Sequence, residues 1–375
     1  MKISRFHTYH LRSPLSREFG CSQRRYSARE AAIVSVETED GLTGWGEAYG
    51  PASPAKAAVD DIFAPLITGR DPRDHEDLWH TMFARGVDHG QKGTLLAAIS
   101  AIDIALWDLK AQAAGLPLYR FLGAAQTLSI PCYATGFYFF DDEPAERRFR
   151  RETGQYLAQG FGSMKMKVGQ GVLLDSSLVA MLRAIAGPEI RLMIDANHAY
   201  TPTEAIALGR RVEQYGIHWF EEPVSPLDLS GYEEVKRALT IPIAGGECEH
   251  TRFGFEPLFR RRLVDFAQPD LCACGGITEG MKIATLASVY NVHVTPHVWG
   301  TAIGQAAALH FYAARPRHPA TTTPEDKLIE CDQTEHPFRT SIAGRPLELA
   351  NGCWLLPQSP GLGIDVNRAA LERFV

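Results

Sequence analysis

Residues 191–200 read RLMIDANHAY, an apolar run, Leu192-Met193-Ile194, that stops at an acid, Asp195. The same construction recurs down the chain. Glu221 closes HWFE, Glu247 closes AGGE, Asp270 closes AQPD and His297 closes VTPH, at intervals of 26, 26, 23 and 27 residues. One βα unit in a barrel of about 250 residues takes roughly 30. The spacing therefore predicts one ionisable residue per strand, all at one level. Working outward, eight short apolar strands are expected: SIPCYATG, SMKMKVG, RLMIDAN, IHWFEEP, IPIAGGE, VDFAQPD, VHVTPH and KLIECDQ. Helical stretches such as PTEAIALGRRVEQYG and GITEGMKIATLASVYN lie between them. That count predicts an α/β fold with a (β/α)8 barrel. An open doubly wound sheet is the competitor, but no G-x-G-x-x-G turn follows the early strands.

Before the barrel the period differs. ISRFHTYHLR, AAIVSVETEDG and LTGWGEAYG read as strands, with a turn at Glu39-Asp40-Gly41. Ile99, Ile102, Leu106, Leu109 and Ala113 then recur at helical spacing, and Gly115 and Pro117 stop that helix. Residues 1–125 are thus expected to form an α+β lobe and 126–345 the barrel, with 346–375 returning to the lobe. The stretch ATTTP at 320–324 reads as a loop before the last strand.

The formal net charge of −6 leaves no basic footprint for nucleic acid. The most apolar helix, LLAAISAIDIALWDL, carries Asp103 and Asp108 and is not expected to span a membrane. The start, MKISRFHTYHL, lacks the apolar core of a signal peptide. Seven scattered cysteines, an odd number without zinc-type paired spacing, read as reduced thiols in a cytoplasmic protein.

The strand ends carry the chemistry, because barrel active sites sit at the C-terminal face. A single acid there is ordinarily a helix N-cap. Asp195, Glu221 and Glu247 in register would repel one another unless a cation lay between them. Three carboxylates without Cys or His suit a hard ion, Mg²⁺ before Ca²⁺, which takes more ligands, usually from one loop. On SMKMKV, Lys165 and Lys167 share one strand face, opposite Met164, Met166 and Val168. Water-facing lysines on an edge strand are the plain alternative. If both are buried, repulsion and desolvation favour deprotonation, and a neutral lysine is a general base. Asp270 and His297, on adjacent strands, read as an acid/base dyad or a structural core pair. Together these groups fit abstraction of the proton α to a carboxylate.

The motifs Lys165-Met166-Lys167, IDAN, WFEEP, GGE, QPD and PHVWG resemble the enolase superfamily, mandelate racemase subgroup, over the whole chain. A Lys or His base acting with Mg²⁺ is an established pattern of that superfamily. GWGEA and IDIALWDLKAQAAGLPLYRFLG are similar to its N-terminal capping domain. The resemblance implies Asp195, Glu221 and Glu247 as ligands of Mg²⁺, with Mn²⁺ a possible substitute. It implies Lys167 as a base, Lys165 as its electrostatic partner, the Asp270–His297 dyad, and Glu330 as a partner of the substrate carboxylate. RLMIDANHAYT, QPDLCACGGITE, KIATLA, PHVWGT and HPFR are most similar to the galactarolactone cycloisomerases, with the acid-sugar dehydratases next. The implied reaction is α-proton abstraction from a small sugar acid or its lactone, followed by β-elimination to a 3-deoxy-2-keto acid. A dehydratase, a racemase or epimerase of a 2-hydroxy acid, and an inactive scaffold are the alternatives. A homo-oligomer is expected. Substrate choice is expected in capping loops at 14–30 and 47–53. Arg17, Arg24 and Arg25 are candidates there for a second carboxylate, Arg24 foremost, and Asn197, His250 and Trp299 are candidate substrate contacts.

Overall fold

The computed structural model describes residues 1–317 and 327–375, so the ATTTP stretch lies outside the described residues. The chain opens with an antiparallel sheet of β1 (Ile3–Gly20), β2 (Arg25–Thr38) and β3 (Thr43–Ala48). The segment 14–30, expected to be a loop, is mostly strand. Phe19 pairs with Tyr26 and Gly20 with Arg25, leaving only 21–24 as the turn. Its sequence hides this because that end of the ribbon packs on barrel residues rather than on the lobe's own core. Phe19 meets Tyr138 edge-on, for example, with ring centres 5.0 Å apart.

The helix Thr94–Ala113 ends as its sequence predicts. Gly115 (φ +65°) donates to the Gln112 carbonyl and Leu116 to that of Ala111, the two bonds of a Schellman stop. The GWGEA motif has a steric reason. A Cβ on Gly46 would sit 1.8 Å from the Ala101 carbonyl oxygen, so β3 can lie directly on this helix only with glycine there.

Eight parallel strands follow: β4 (Ser129–Gly136), β5 (Ser163–Lys167), β6 (Arg191–Asp195), β7 (Ile217–Glu221), β8 (Ile243–Gly245), β9 (Phe266–Ala267), β10 (His293–Val294) and β11 (Ile329–Asp332). Their order is β11-β4-β5-β6-β7-β8-β9-β10. Thr295 Oγ1 donates to the Leu328 carbonyl (2.7 Å) across the remaining edge. Tyr133, Met193, Trp219, Ala244 and Leu328 fill the interior. Met164, Met166 and Val168 face the outer, helix-side core, each worth about 1.5–3 kcal/mol on burial.

Of residues 346–375, the hairpin β12 (Leu349–Ala350) and β13 (Cys353–Leu355) joins the barrel, β13 pairing antiparallel with β4. The rest reaches the lobe. Leu362 donates to Asp108 (2.8 Å), and the Phe374 carbonyl accepts from Arg12 (2.8 Å). Among the described residues, no helix is long and apolar enough to cross a membrane.

Candidate active site

Register brings the first groups together. Lys167 pairs with Asp195, Asp195 with Glu221, and Glu221 with Ala244, so three ionisable side chains stand side by side at the ends of β5–β7. Glu247 follows β8 by two residues. Carboxylate oxygens of Asp195, Glu221 and Glu247 lie within 4.8 Å of one another. All three donors are hard oxygens, and the cluster could hold a metal ion of Mg²⁺ type.

Both lysines are buried, Lys165 to 1% and Lys167 to 7% exposure, which removes the edge-strand reading. Lys165 Nζ lies 2.6 Å from Glu221 Oε1, 2.9 Å from Glu330 and 3.7 Å from Asp195. Lys167 Nζ donates to Asp195 Oδ2 (2.5 Å) and Asn197 Oδ1 (2.8 Å). Their protonation runs opposite to the sequence expectation. Burial does oppose both charges, but Glu221 and Glu330 around Lys165, and Asp195 beside Lys167, outweigh it. Both pKa values are raised above the ordinary lysine value. Mutual repulsion acts on Lys167 but is the smaller effect.

The carboxylates respond in kind. Burial lifts Glu221 to about 7 despite Lys165. Burial also opposes charge on Glu330, but Lys165 and His297 take it down to about 2. Glu330 is fixed further by Thr135 Oγ1 (2.6 Å) and the Val298 N–H (2.8 Å), both donating to it.

Facing the lysines, His297 Nδ1 bonds Asp270 Oδ2 (2.7 Å), and the Cys272 N–H donates to the other Asp270 oxygen (2.7 Å). His297 Nε2 is directed at Glu247 Oε2, 3.4 Å away. Burial disfavours the imidazolium, but Glu247, Asp270 and Glu330 push its pKa up to about 10.

Lys167, His297, Asn197, Glu247 and Glu330 line one inner chamber of about 30 Å³. Tyr26, Tyr49 and Trp299 wall it off from an outer basin of about 360 Å³ lined by Arg24 and Arg29. Ligand sites generally need some 300 Å³ or more, so the two spaces together fit a small ligand and the inner one alone does not.

The substrate-contact candidates separate. Asn197 lies among the charged groups, Lys167 on its carbonyl and Asp195 on its N–H (2.8 Å each). Trp299 faces both chambers, under the Arg29 guanidinium at 3.9 Å. His250 lines neither; its Nε2 accepts from the Gly93 N–H (3.1 Å) and joins barrel to lobe. Arg17 and Arg25 pair with Asp142 and Asp141, whereas the Arg24 guanidinium bonds the Tyr26 hydroxyl (3.0 Å) and, among the described residues, no carboxylate. In the 47–53 segment, Glu47 accepts from the N–H groups of Thr301 and Gly304 and caps the helix Ala302–Ala314. Tyr49 of this segment reaches the inner chamber, and Glu47, Ala48, Gly50 and Pro51 line the outer basin.

Sequence reading missed Gln268 and Trp219, which donate to Glu221 Oε2 at 2.7 and 3.0 Å. Period two carried the signal, since Gln268 stands two residues before Asp270 and Trp219 two before Glu221. Tyr26, Tyr49 and Arg29 had no such signal, because they come from the other lobe.

A capped parallel barrel with carboxylates in register and proton-transfer groups on either side defines an enzyme of the enolase type. The chain belongs to the mandelate racemase / muconate lactonizing enzyme family: its N-terminal domain description matches residues 7–123, and the enolase C-terminal domain-like description matches 148–370. It is 43% identical to D-galactarolactone cycloisomerase of Agrobacterium fabrum, covering 100% of this chain and 99% of that one. Arabinonate dehydratase of Saccharolobus solfataricus is 33% identical, covering 92% and 90%. Among solved structures, 3,6-anhydro-D-galactonate cycloisomerase of Zobellia galactanivorans superposes with TM-score 0.90 at 42% identity, covering 100% and 99%. A racemase of Streptomyces coelicolor with bound magnesium gives 0.89 at 30%, covering 99% of each chain.

Proposed function

We propose that the chain is a cycloisomerase of aldaric acid lactones. It removes the proton α to the free carboxylate and breaks the β carbon–oxygen bond of the ring. The ring oxygen leaves as the second carboxylate, and the enol becomes a 3-deoxy-2-keto acid, so no atom is gained or lost. The observation that carries this reading is the shared chamber, in which Lys167 and His297 face one space beside the carboxylate triad. A group there can lose a proton on one side and gain one on the other.

Asp195, Glu221 and Glu247 are the residues to hold Mg²⁺, or Mn²⁺ in its place. When bound, the ion supplies positive charge as negative charge builds on the substrate carboxylate. Lys167, once its hold on Asp195 is relieved, releases its own proton to solvent and then takes the α-proton at Nζ. Lys165 stays charged and orients the carboxylate, and Glu330 fixes Lys165. The His297 imidazolium, held by Asp270, donates from Nε2 to the carbon or oxygen that needs the proton. In the outer basin Arg29 is held by Asp332, whereas the Arg24 guanidinium bonds a tyrosine hydroxyl and not a carboxylate, which suits it to the distal carboxylate.

A hydroxyl in place of the ring oxygen as leaving group would make the same first step a dehydration. The higher identity to the cycloisomerase, 43% against 33%, favours the lactone. Proton NMR in D₂O with a panel of hexaro-1,4-lactones and the open acids separates the readings. A deoxy-keto acid from lactones alone is the expected result. Conversion of open acids alone would make the enzyme a dehydratase. A deuterated diastereomer without elimination would make it an epimerase.

A further inference from the structure

A second set of side chains sits one step beyond the triad, and the proposed reaction does not use it. Glu222 follows Glu221, Cys248 follows Glu247, and His198 lies three residues past Asp195. One ligand atom from each of His198, Glu222 and Cys248 comes within 4.8 Å of the other two. Glu222 is fully buried, and among the described residues no nitrogen or oxygen donor reaches either of its carboxylate oxygens. The Cys248 thiol bonds it, but a thiol is a weak donor and leaves a buried carboxylate short of hydrogen bonds. An unpartnered buried carboxylate costs several kcal/mol unless it is neutralised or a cation meets it. The position is also held deliberately: His198 (φ +53°) and Glu222 (φ +40°) are left-handed, and the His198 N–H donates to the Glu222 carbonyl (2.8 Å).

We infer that His198, Glu222 and Cys248 form a second metal site, distinct in its donors from the triad, that takes Zn²⁺. Imidazole, carboxylate and thiolate are the ligand types zinc combines, and three protein ligands leave a fourth tetrahedral position for water. Magnesium avoids sulfur, so the donor chemistry sorts the two ions between the two sites. His198 and Cys248 are only half-buried, which leaves an approach from solvent. On binding, the Cys248 thiol loses its proton to solvent and becomes a ligand. The cation would then tie together the ends of β6, β7 and β8, the same ends that carry Asp195, Glu221 and Glu247.

Co²⁺ is the probe, added to the full-length enzyme in excess Mg²⁺ so that the triad is saturated. One equivalent should bind with a near-ultraviolet thiolate-to-cobalt charge-transfer band and the intense visible bands of four-coordination. Zn²⁺ should displace it. Cys248→Ser should remove the charge-transfer band, and His198→Gln and Glu222→Gln should each weaken Co²⁺ binding at least tenfold. His198 is half-buried, so its variant tests the site even if the Glu222 change disturbs folding. The inference is overturned if the band survives in Cys248→Ser, if neither the His198 nor the Glu222 variant changes Co²⁺ affinity, or if excess Mg²⁺ prevents Co²⁺ binding altogether.

Discussion

The mouth of the barrel and the hairpin that overhangs it contribute to one pocket by different means. At the mouth, Lys167, Asp195 and Glu221 are neighbours because three backbones are hydrogen-bonded in register. On the hairpin, Tyr26 and Arg29 reach the pocket through side-chain packing across a domain boundary: Tyr26 against Trp299 with ring centres 4.9 Å apart, Arg29 on Asp332 at 3.3 Å. The first arrangement is rigid and suits proton transfer, which tolerates little misplacement. The second, apart from the buried Arg29–Asp332 pair, can be altered without unpicking the barrel, and suits the choice of substrate. The lesson is that chemistry and selectivity should respond separately to mutation.

The largest expected effect is on the mouth. Chelation should abolish turnover while far-ultraviolet circular dichroism stays unchanged, because the barrel core of Tyr133, Met193 and Trp219 does not include the triad. Full activity after exhaustive chelation would sink the metal assignment. Next, Lys167→Ala should lower kcat by about 10²–10⁴-fold, the usual contribution of a general base, and stop α-proton exchange in D₂O. His297→Asn should spare that exchange while blocking product. If the two variants swap behaviours, His297 is the base.

Smaller effects belong to the hairpin. Arg24→Ala should raise KM for a dicarboxylate roughly tenfold, about 1.4 kcal/mol, with little change in kcat. An equal fall in kcat would break the division between the two regions. Replacing only 21–26 should shift substrate preference. A full exchange of 14–30 would also remove Arg29, whose buried pair with Asp332 is destabilising to break. The smallest effect is thermodynamic. A histidine with raised pKa stabilises fully below its unfolded value near 6.5, and that contribution is lost as pH rises through the folded value. With His297 at about 10, the chelated protein should lose melting temperature between pH 7 and 10. His297→Asn should lack that component, and an identical profile in both proteins would count against the ion pairs drawn around it.

Much of the mouth was legible in the chain because a strand's period of two and a barrel's near-constant βα repeat convert spacing into position. Asp195, Glu221, Glu247, Asp270 and His297 were found by that means, and Lys165 and Lys167 were correctly placed on one face. Their charge state was not legible, since it depends on how many carboxylates surround them, and that number is fixed only when eight strands close. The hairpin at 14–30 was misjudged as loop because its partners lie in the barrel, more than a hundred residues away. His250 carried no mark that would distinguish a domain tie from a ligand contact. Cysteine spacing could not single out the cluster of Cys248, Glu222 and His198, because its members come from three strand ends and not from one ribbon. Sequence alone thus determined which side chains stand at which strand end, through local periodicity. Tertiary structure decided what each meets there, because charge, burial and partners arise only from contacts between segments distant in the chain.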